Sequence, residues 1–214
     1  MKFENVEYVL FDLDGTITDP FEGITNSVMY SLEKFGIKVT DKRELSVFIG
    51  PPLLDSYIKY YGFSKEKAEK AVAYYREYYP VNGIFDCTLY DGIVNSLSKL
   101  SKKYKLVLAT SKPEPFAKKI LDKFNLSKYF FYVVGATFDS SVSEKSDVIR
   151  KVMNDLKISP NNAIMIGDRS YDVDGAKVNG MRSVGVTYGY GKKSEFSNAN
   201  AVVDNTEELL SLFL

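Results

Sequence analysis

The chain has 214 residues, enough for one substantial core or for a core domain carrying a smaller one. Lysine plus arginine equals aspartate plus glutamate at 28 each, so the formal net charge is zero and no broad basic field for nucleic acid is expected. Histidine is absent, which removes Ser-His-Asp and Cys-His catalysis, phosphohistidine chemistry and His-ligated zinc, and Cys87 stands alone, which rules out an intramolecular disulfide framework. A single cysteine suits a reducing, cytoplasmic compartment. No segment approaches the roughly 18 apolar residues of a membrane span, and Met1-Lys2-Phe3-Glu4 leads directly into a strand instead of a signal-peptide core. The expected partner is a small molecule, with no nucleic acid or membrane involved and the chain a monomer or weak homodimer.

Tyr8 to Phe11 reads as a buried strand that ends in Asp12-Leu13-Asp14-Gly15-Thr16. Two like charges one residue apart repel and cost desolvation unless a cation or donors compensate them, so the pair suggests a divalent metal. The same composition also suits a plain turn. After Asp19-Pro20, Phe21 to Phe35 carries Ile24, Val28, Leu32 and Phe35 at helical spacing. Thr40-Asp41 caps a helix over Arg43 to Phe48, Gly50-Pro51-Pro52 separates it from Leu53 to Tyr61, and Ser64 opens a helix to about Tyr79, before Pro80. Residues 18–82 thus form a helical subdomain inserted into a core of residues 1–17 and 83–214. Its tyrosines read mainly as ring packing between amphipathic helices.

In the rest of the chain, helices are expected over Asp91 to Leu100, Pro113 to Phe124, Glu144 to Leu156, Asp172 to Asn179 and Thr206 to Phe213. Strands are expected over Tyr104 to Ala109, Tyr129 to Val134, Ala163 to Ile166, Val184 to Val186 and, at an edge, Ala201 to Val203. A polar loop, 139–143, and the glycine-rich Tyr188-Gly189-Tyr190-Gly191 connect them. Repeated strand-loop-helix units predict an α/β fold, a doubly wound parallel sheet with right-handed crossovers and the helical insertion as a cap.

Parallel strands would bring Asp12 and Asp14, Thr110 and Ser111, and Asp168 and Asp172 to one sheet edge. Thr110-Ser111 could instead cap a helix, Gly167-Asp168 could be an ordinary turn, and Lys145 a solvated lysine. Together they offer acids for a hard cation, donors for an anion and an ammonium, the inventory of magnesium-dependent phosphoryl transfer.

Asp12-Leu13-Asp14-Gly15-Thr16, Thr110 after a strand, Lys145, and Gly167-Asp168-Arg169-Ser170-Tyr171-Asp172 resemble, in order and spacing across essentially the whole chain, the four motifs of the haloacid-dehalogenase-like superfamily. The resemblance is greatest to its phosphoglycolate-phosphatase-like members with a helical cap, which include bacterial nucleotidases. It implies a magnesium-dependent phosphomonoester hydrolase acting on a small phosphorylated metabolite such as phosphoglycolate or a nucleoside monophosphate. Asp12 would be the nucleophile that becomes an aspartyl-phosphate, and Asp14 the general acid and base whose backbone carbonyl ligates Mg2+. Asp168 would be a second side-chain ligand and Asp172 would hold metal-bound water or a neighbouring donor. Thr110, Lys145 and the amides of Leu13 and Ser111 would contact phosphate. Ser111 stands where relatives often have asparagine, and Asp19-Pro20 replaces a more frequent Asp-Ser. In the cap, Gly50 is the expected tip of a loop over the cleft, and Arg43 and Arg76 are candidates for a second anion contact or solvated helix arginines. A phosphomutase or pyrophosphatase of the same superfamily is the alternative enzyme, and a receiver-like signalling or non-catalytic binding protein the alternative of another class.

Overall fold

The computed structural model describes residues 3–139 and 141–214. Met1, Lys2 and Ser140, which fall in the expected N-terminal lead-in and in the polar loop 139–143, lie outside the described residues. The strands are β1 (Tyr8–Phe11), β2 (Thr18–Asp19), β3 (Thr88–Leu89), β4 (Lys105–Pro113), β5 (Phe130–Ala136), β6 (Ala163–Gly167), β7 (Arg182–Val186) and β8 (Ala201–Val203). The α-helices are α1 (Phe21–Glu33), α2 (Leu53–Tyr61), α3 (Lys65–Tyr78), α4 (Ile93–Leu100), α5 (Glu114–Lys123), α6 (Lys145–Leu156), α7 (Ser170–Val178) and α8 (Thr206–Ser211). Two units divide the chain: one runs to Asp19 and resumes at Leu89, and the other is Pro20–Thr88. Among the described residues no helix is long and apolar enough to cross a membrane.

In the first unit six strands form a sheet in the order β5-β4-β1-β6-β7-β8, with every pairing parallel. The central strand β1 is buried along its whole length because apolar residues alternate onto two covered faces. On one face Tyr8 and Leu10 join Val107, Ala109, Ala163 and Met165 in a core sealed by Val148, Ile149 and Val152 of α6 and Ala176 of α7. The alternate residues Val9, Phe11, Leu106, Leu108, Ile164 and Ile166 are buried as well, so the opposite face is also covered. From β1 the chain fills one side of the sheet with β4 and β5, then crosses back to place β6, β7 and β8 on the other. The carboxyl ends of β1, β4 and β6 therefore meet at the point where the winding reverses, the place where open α/β sheets form clefts.

The second unit is helical, as its amphipathic spacing predicts. Asp41 accepts from the Arg43 amide at 3.0 Å, but the segment it caps, Lys42–Phe48, is a 3-10 helix, not an α-helix. Ser64 caps α3 through the Lys67 amide at 3.2 Å. Pro80 does not stop the chain from coiling: Tyr79–Gly83 makes a widened turn closed by the Ile84 amide on the Tyr79 carbonyl at 2.7 Å. Proline has no N–H to give an ordinary helical bond, and the wider turn skips the missing donor. The aromatic rings mostly pack on one another, with Tyr57 against Phe48 (4.9 Å between centroids), Tyr75 stacked on Tyr79 (5.2 Å) and Tyr30 beside Tyr78 (5.1 Å).

The most consequential departure in the core is β4. Its expected end at Ala109 is extended through Thr110, Ser111, Lys112 and Pro113, so Thr110-Ser111 is strand and not a helix cap. The pairing with β5 slips between Thr110 and Pro113, where Thr110 faces Gly135 and Pro113 faces Ala136. Ser111 and Lys112 form a bulge, a device that re-aims side chains at strand ends.

Candidate active site

Asp12 directly follows β1 and is held in line with the sheet by its amide, which donates to the Ile166 carbonyl at 2.9 Å. The next residues curl tightly: the amides of Ile17 and Thr18 both donate to the Leu13 carbonyl, at 2.8 and 3.0 Å, and Gly15 donates to Thr18 at 2.7 Å. Gly15 sits at φ +86°, and any Cβ there would collide with the Asp168 carboxylate. Glycine at this position therefore serves both the left-handed backbone and the close approach of an acid from β6.

Lys145, the first residue of α6, points back into this edge and is 4% exposed. Its Nζ lies 2.8 Å from Asp12 Oδ1, 2.8 Å from Asp172 Oδ1 and 3.0 Å from the Ala109 carbonyl. Burial alone would lower its pKa, but the charges of Asp12 and Asp172 outweigh burial and hold the ammonium above its ordinary range. The solvated alternative for this lysine is therefore excluded. Asp172 is positioned in the first turn of α7, where its Oδ2 accepts from the Arg169 amide at 3.1 Å and closes the helix start. Arg169 and the Ser170 amide are themselves held by Glu195, at 3.2 and 3.1 Å.

Asp168, fully buried beyond β6, accepts from Thr16 Oγ1 at 3.3 Å and from the Tyr190 amide at 2.8 Å. Burial, then the charges of Asp172 and Asp12, push its pKa well above the carboxylate range. Asp172 is pushed up to about 6, by burial first, with Lys145 opposing and Asp12 reinforcing the shift. One oxygen from each of Asp12, Asp168 and Asp172 lies within 4.8 Å of the others. Asp172 Oδ1 has the Lys145 charge beside it but no well-formed hydrogen bond.

Asp14 is also buried, and its carboxylate forms an ion pair with Lys112 Nζ, with Thr18 Oγ1 at 3.4 Å. Four buried carboxylates, Asp12, Asp14, Asp168 and Asp172, thus share one strand edge with two buried ammonium groups, Lys112 and Lys145. Two negative charges remain in excess, and burial together with neighbouring acids raises the proton affinity of Asp168 and Asp172. A divalent cation of oxygen preference fits this donor set in both charge and chemistry.

Thr110 is buried at the end of β4, and its Oγ1 accepts from the Lys112 amide at 3.2 Å, leaving the hydroxyl proton available to a ligand. The Leu13 amide points into Asp12 itself, donating to Oδ1 at 2.7 Å. Ser111 lies in the bulge beside Thr110. Gly50, at φ +104°, and Arg76, on α3, belong to the helical unit. Arg43 is committed to Asp41, with Nη2 at 2.8 Å from Oδ2 and an exposed side chain.

Sequence reasoning left Lys112, Asp19, Tyr188 and Tyr190 without roles. Lys112 left no legible signal, because its position depends on the extension and bulge of β4, which local composition does not announce. The tyrosines had none beyond the glycine-rich spacing. Tyr188 donates to the Thr16 carbonyl at 3.1 Å, Tyr190 donates its phenol to Asp19, and a Cβ at Gly189 would strike the Gly15 carbonyl. The loop 188–191 is therefore pressed against both the turn after β1 and Asp168.

The family model of the haloacid dehalogenase-like hydrolases matches residues 9–186. A 5'-nucleotidase from Pseudomonas aeruginosa is 40% identical over 188 residues, which cover 87% of this chain and 85% of the relative. Tyrosine-protein kinase PtkA of Mycobacterium tuberculosis is 36% identical over 201 residues, covering 94% of this chain and 68% of that protein. The crystal structure of a predicted phosphatase from Clostridium acetobutylicum matches with a TM-score of 0.94 at 50% identity, over 96% of this chain and 97% of that one. The parallel sheet, the acids gathered at its reversal point and the extent of these matches together make the chain an enzyme that belongs to the haloacid dehalogenase-like hydrolases.

Proposed function

We propose that the protein is a magnesium-dependent phosphomonoester hydrolase that works through a phosphorylated Asp12. The observation that carries this reading is the shared clamp of Lys145 on Asp12 and Asp172 in a site with two uncompensated acids. Asp12 and Asp168 would hold the cation through their side chains and Asp14 through its carbonyl, with Asp172 supporting from behind. When bound, the cation supplies positive charge to the phosphoryl oxygens and to the crowded carboxylates.

Asp12 attacks phosphorus, and the bond from phosphorus to the ester oxygen breaks as Asp14 gives that oxygen a proton. Asp14 then takes a proton from water as the water attacks phosphorus, which frees phosphate and restores the Asp12 carboxylate. Lys145 restrains Asp12 and offers charge to the transferred group, while the Thr110 hydroxyl donates to one of its oxygens. Carboxylates do both the covalent and the proton-transfer work, which suits a chain without histidine.

The named activity of the nucleotidase relative supports nucleoside monophosphates as candidate substrates, alongside phosphoglycolate. The test is phosphate release by the purified protein from phosphoglycolate, nucleoside monophosphates, sugar phosphates and pyrophosphate, with magnesium and with a chelator. Chelator-sensitive hydrolysis of at least one monoester is expected. Absence of release from all of them would overturn the reading.

A further inference from the structure

Glu195 has no part in the chemistry proposed above, yet its side chain grips the segment that carries two of the acids. Residues 168–172 run from Asp168, just beyond β6, to Asp172 in the first turn of α7. An oxygen from each of these two acids lies within 4.8 Å of the other and of one from Asp12. Like charges this close push the ends of the segment apart, so the backbone between them needs a hold from outside the cluster.

Glu195 supplies that hold. Its Oε2 accepts from the Ser170 amide at 3.1 Å and pairs with Arg169 Nε at 3.2 Å, while Oε1 accepts from the Lys192 amide at 3.1 Å. The first amides of a helix have no carbonyl within the helix to receive them, and a carboxylate also suits the positive end of the helix dipole. At the start of α7 the Arg169 amide goes to Asp172 and the Ser170 amide to Glu195. The stretch that carries Glu195 is seated firmly. A Cβ at Gly191 would strike the Asp168 carbonyl, and the buried Phe196 ring lies where a Cβ at Gly185 of β7 would be. We propose that Glu195 is a positioning residue that fixes the placement of Asp168 relative to Asp172, and through it the affinity of the site for magnesium. For the metal this rests on the phosphatase reading, to which it adds a residue that touches neither substrate nor cation.

The test compares Glu195→Ala, Glu195→Gln and Asn198→Ala in the full chain and does not require turnover. Asn198 ties the same stretch to α7, through Asp174 at 3.0 Å and Lys177 at 2.9 Å, but at exposed residues beyond the helix start. Its loss loosens the stretch without touching 168–172. Hydrogen exchange of the metal-free protein over 168–172, read by mass spectrometry, should be several-fold faster in Glu195→Ala and unchanged in Asn198→Ala. Magnesium affinity, read by calorimetry, should fall about ten-fold in Glu195→Ala and remain at the unmutated value in Asn198→Ala. Glu195→Gln keeps one oxygen for the Ser170 amide, so its losses should be smaller, and it carries the test if the alanine variant does not fold. Unchanged exchange, unaltered magnesium affinity, or equal losses from Asn198→Ala would overturn the assignment. An unmutated protein that binds no magnesium would instead overturn the magnesium-dependent reading, with faster exchange over 168–172 still supporting Glu195 as the brace and unchanged exchange overturning it.

Discussion

Lys145 Nζ stands 2.8 Å from Asp12 Oδ1, joining the start of α6 to the end of the central strand. This contact fixes the carboxylate that the proposed reaction uses as nucleophile and keeps a positive charge beside it. The same ammonium reaches Asp172, so one side chain orders two acids that would otherwise repel each other.

Replacing Lys145 with methionine should therefore reduce kcat by about 10²–10³, the usual cost of losing a charged donor at a developing anion. The variant should also melt at a lower temperature, since Asp12 and Asp172 are then buried without their shared counter-ion. Steady-state kinetics and thermal melts check both outcomes, and an unchanged kcat would remove Lys145 from the reaction.

Asp172 and Asp168 have folded-state proton affinities above the ordinary carboxylate value, with Asp172 raised to about 6 from 3.8. A raised carboxyl pKa means that the folded state binds more protons than the unfolded state over this window, so stability falls as pH rises through it. Metal-free protein should lose melting temperature between pH 5 and pH 7. Magnesium should restore it at pH 7 and have little effect near pH 4.5, where protons already neutralise the acids. Melting curves with and without magnesium at both pH values check the sign.

The core strands were legible because buried parallel strands are continuous apolar runs, and β1 and β8 are found at their predicted bounds. The acids at their ends were legible because charge placed directly after such a run has few structural reasons to be there. The extension of β4 was not, because Thr110-Ser111-Lys112-Pro113 has the composition of a loop and its strand character depends on pairing with Gly135 and Ala136. Pro80 was legible as the end of the helix, since α3 stops at Tyr78, but the widened turn that follows through Gly83 was not. The contact of Tyr190 with Asp19 depends on tertiary placement and left no periodic trace.

Tyr190 holds Asp168 through its amide and anchors itself through its phenol on Asp19. Tyr190→Phe keeps the amide and ring but releases the anchor, so the loop should hold Asp168 less firmly. Magnesium affinity, read by calorimetry independently of turnover, should fall about ten-fold, as for other losses of a group that orients a metal ligand. Unaltered magnesium binding would show that the phenol contact does not support Asp168.

The central claim is that Asp12 becomes phosphorylated, and it is tested most directly by trapping the phosphoenzyme. Asp14→Asn should slow the water attack, so acid quenching after mixing with magnesium and a substrate should leave one phosphoryl group on the protein, mapped by peptide mass spectrometry to Asp12. The same protein carrying Asp12→Asn in addition should trap none. A phosphoryl group on another residue, or undiminished hydrolysis by the Asp12→Asn protein, would contradict the account.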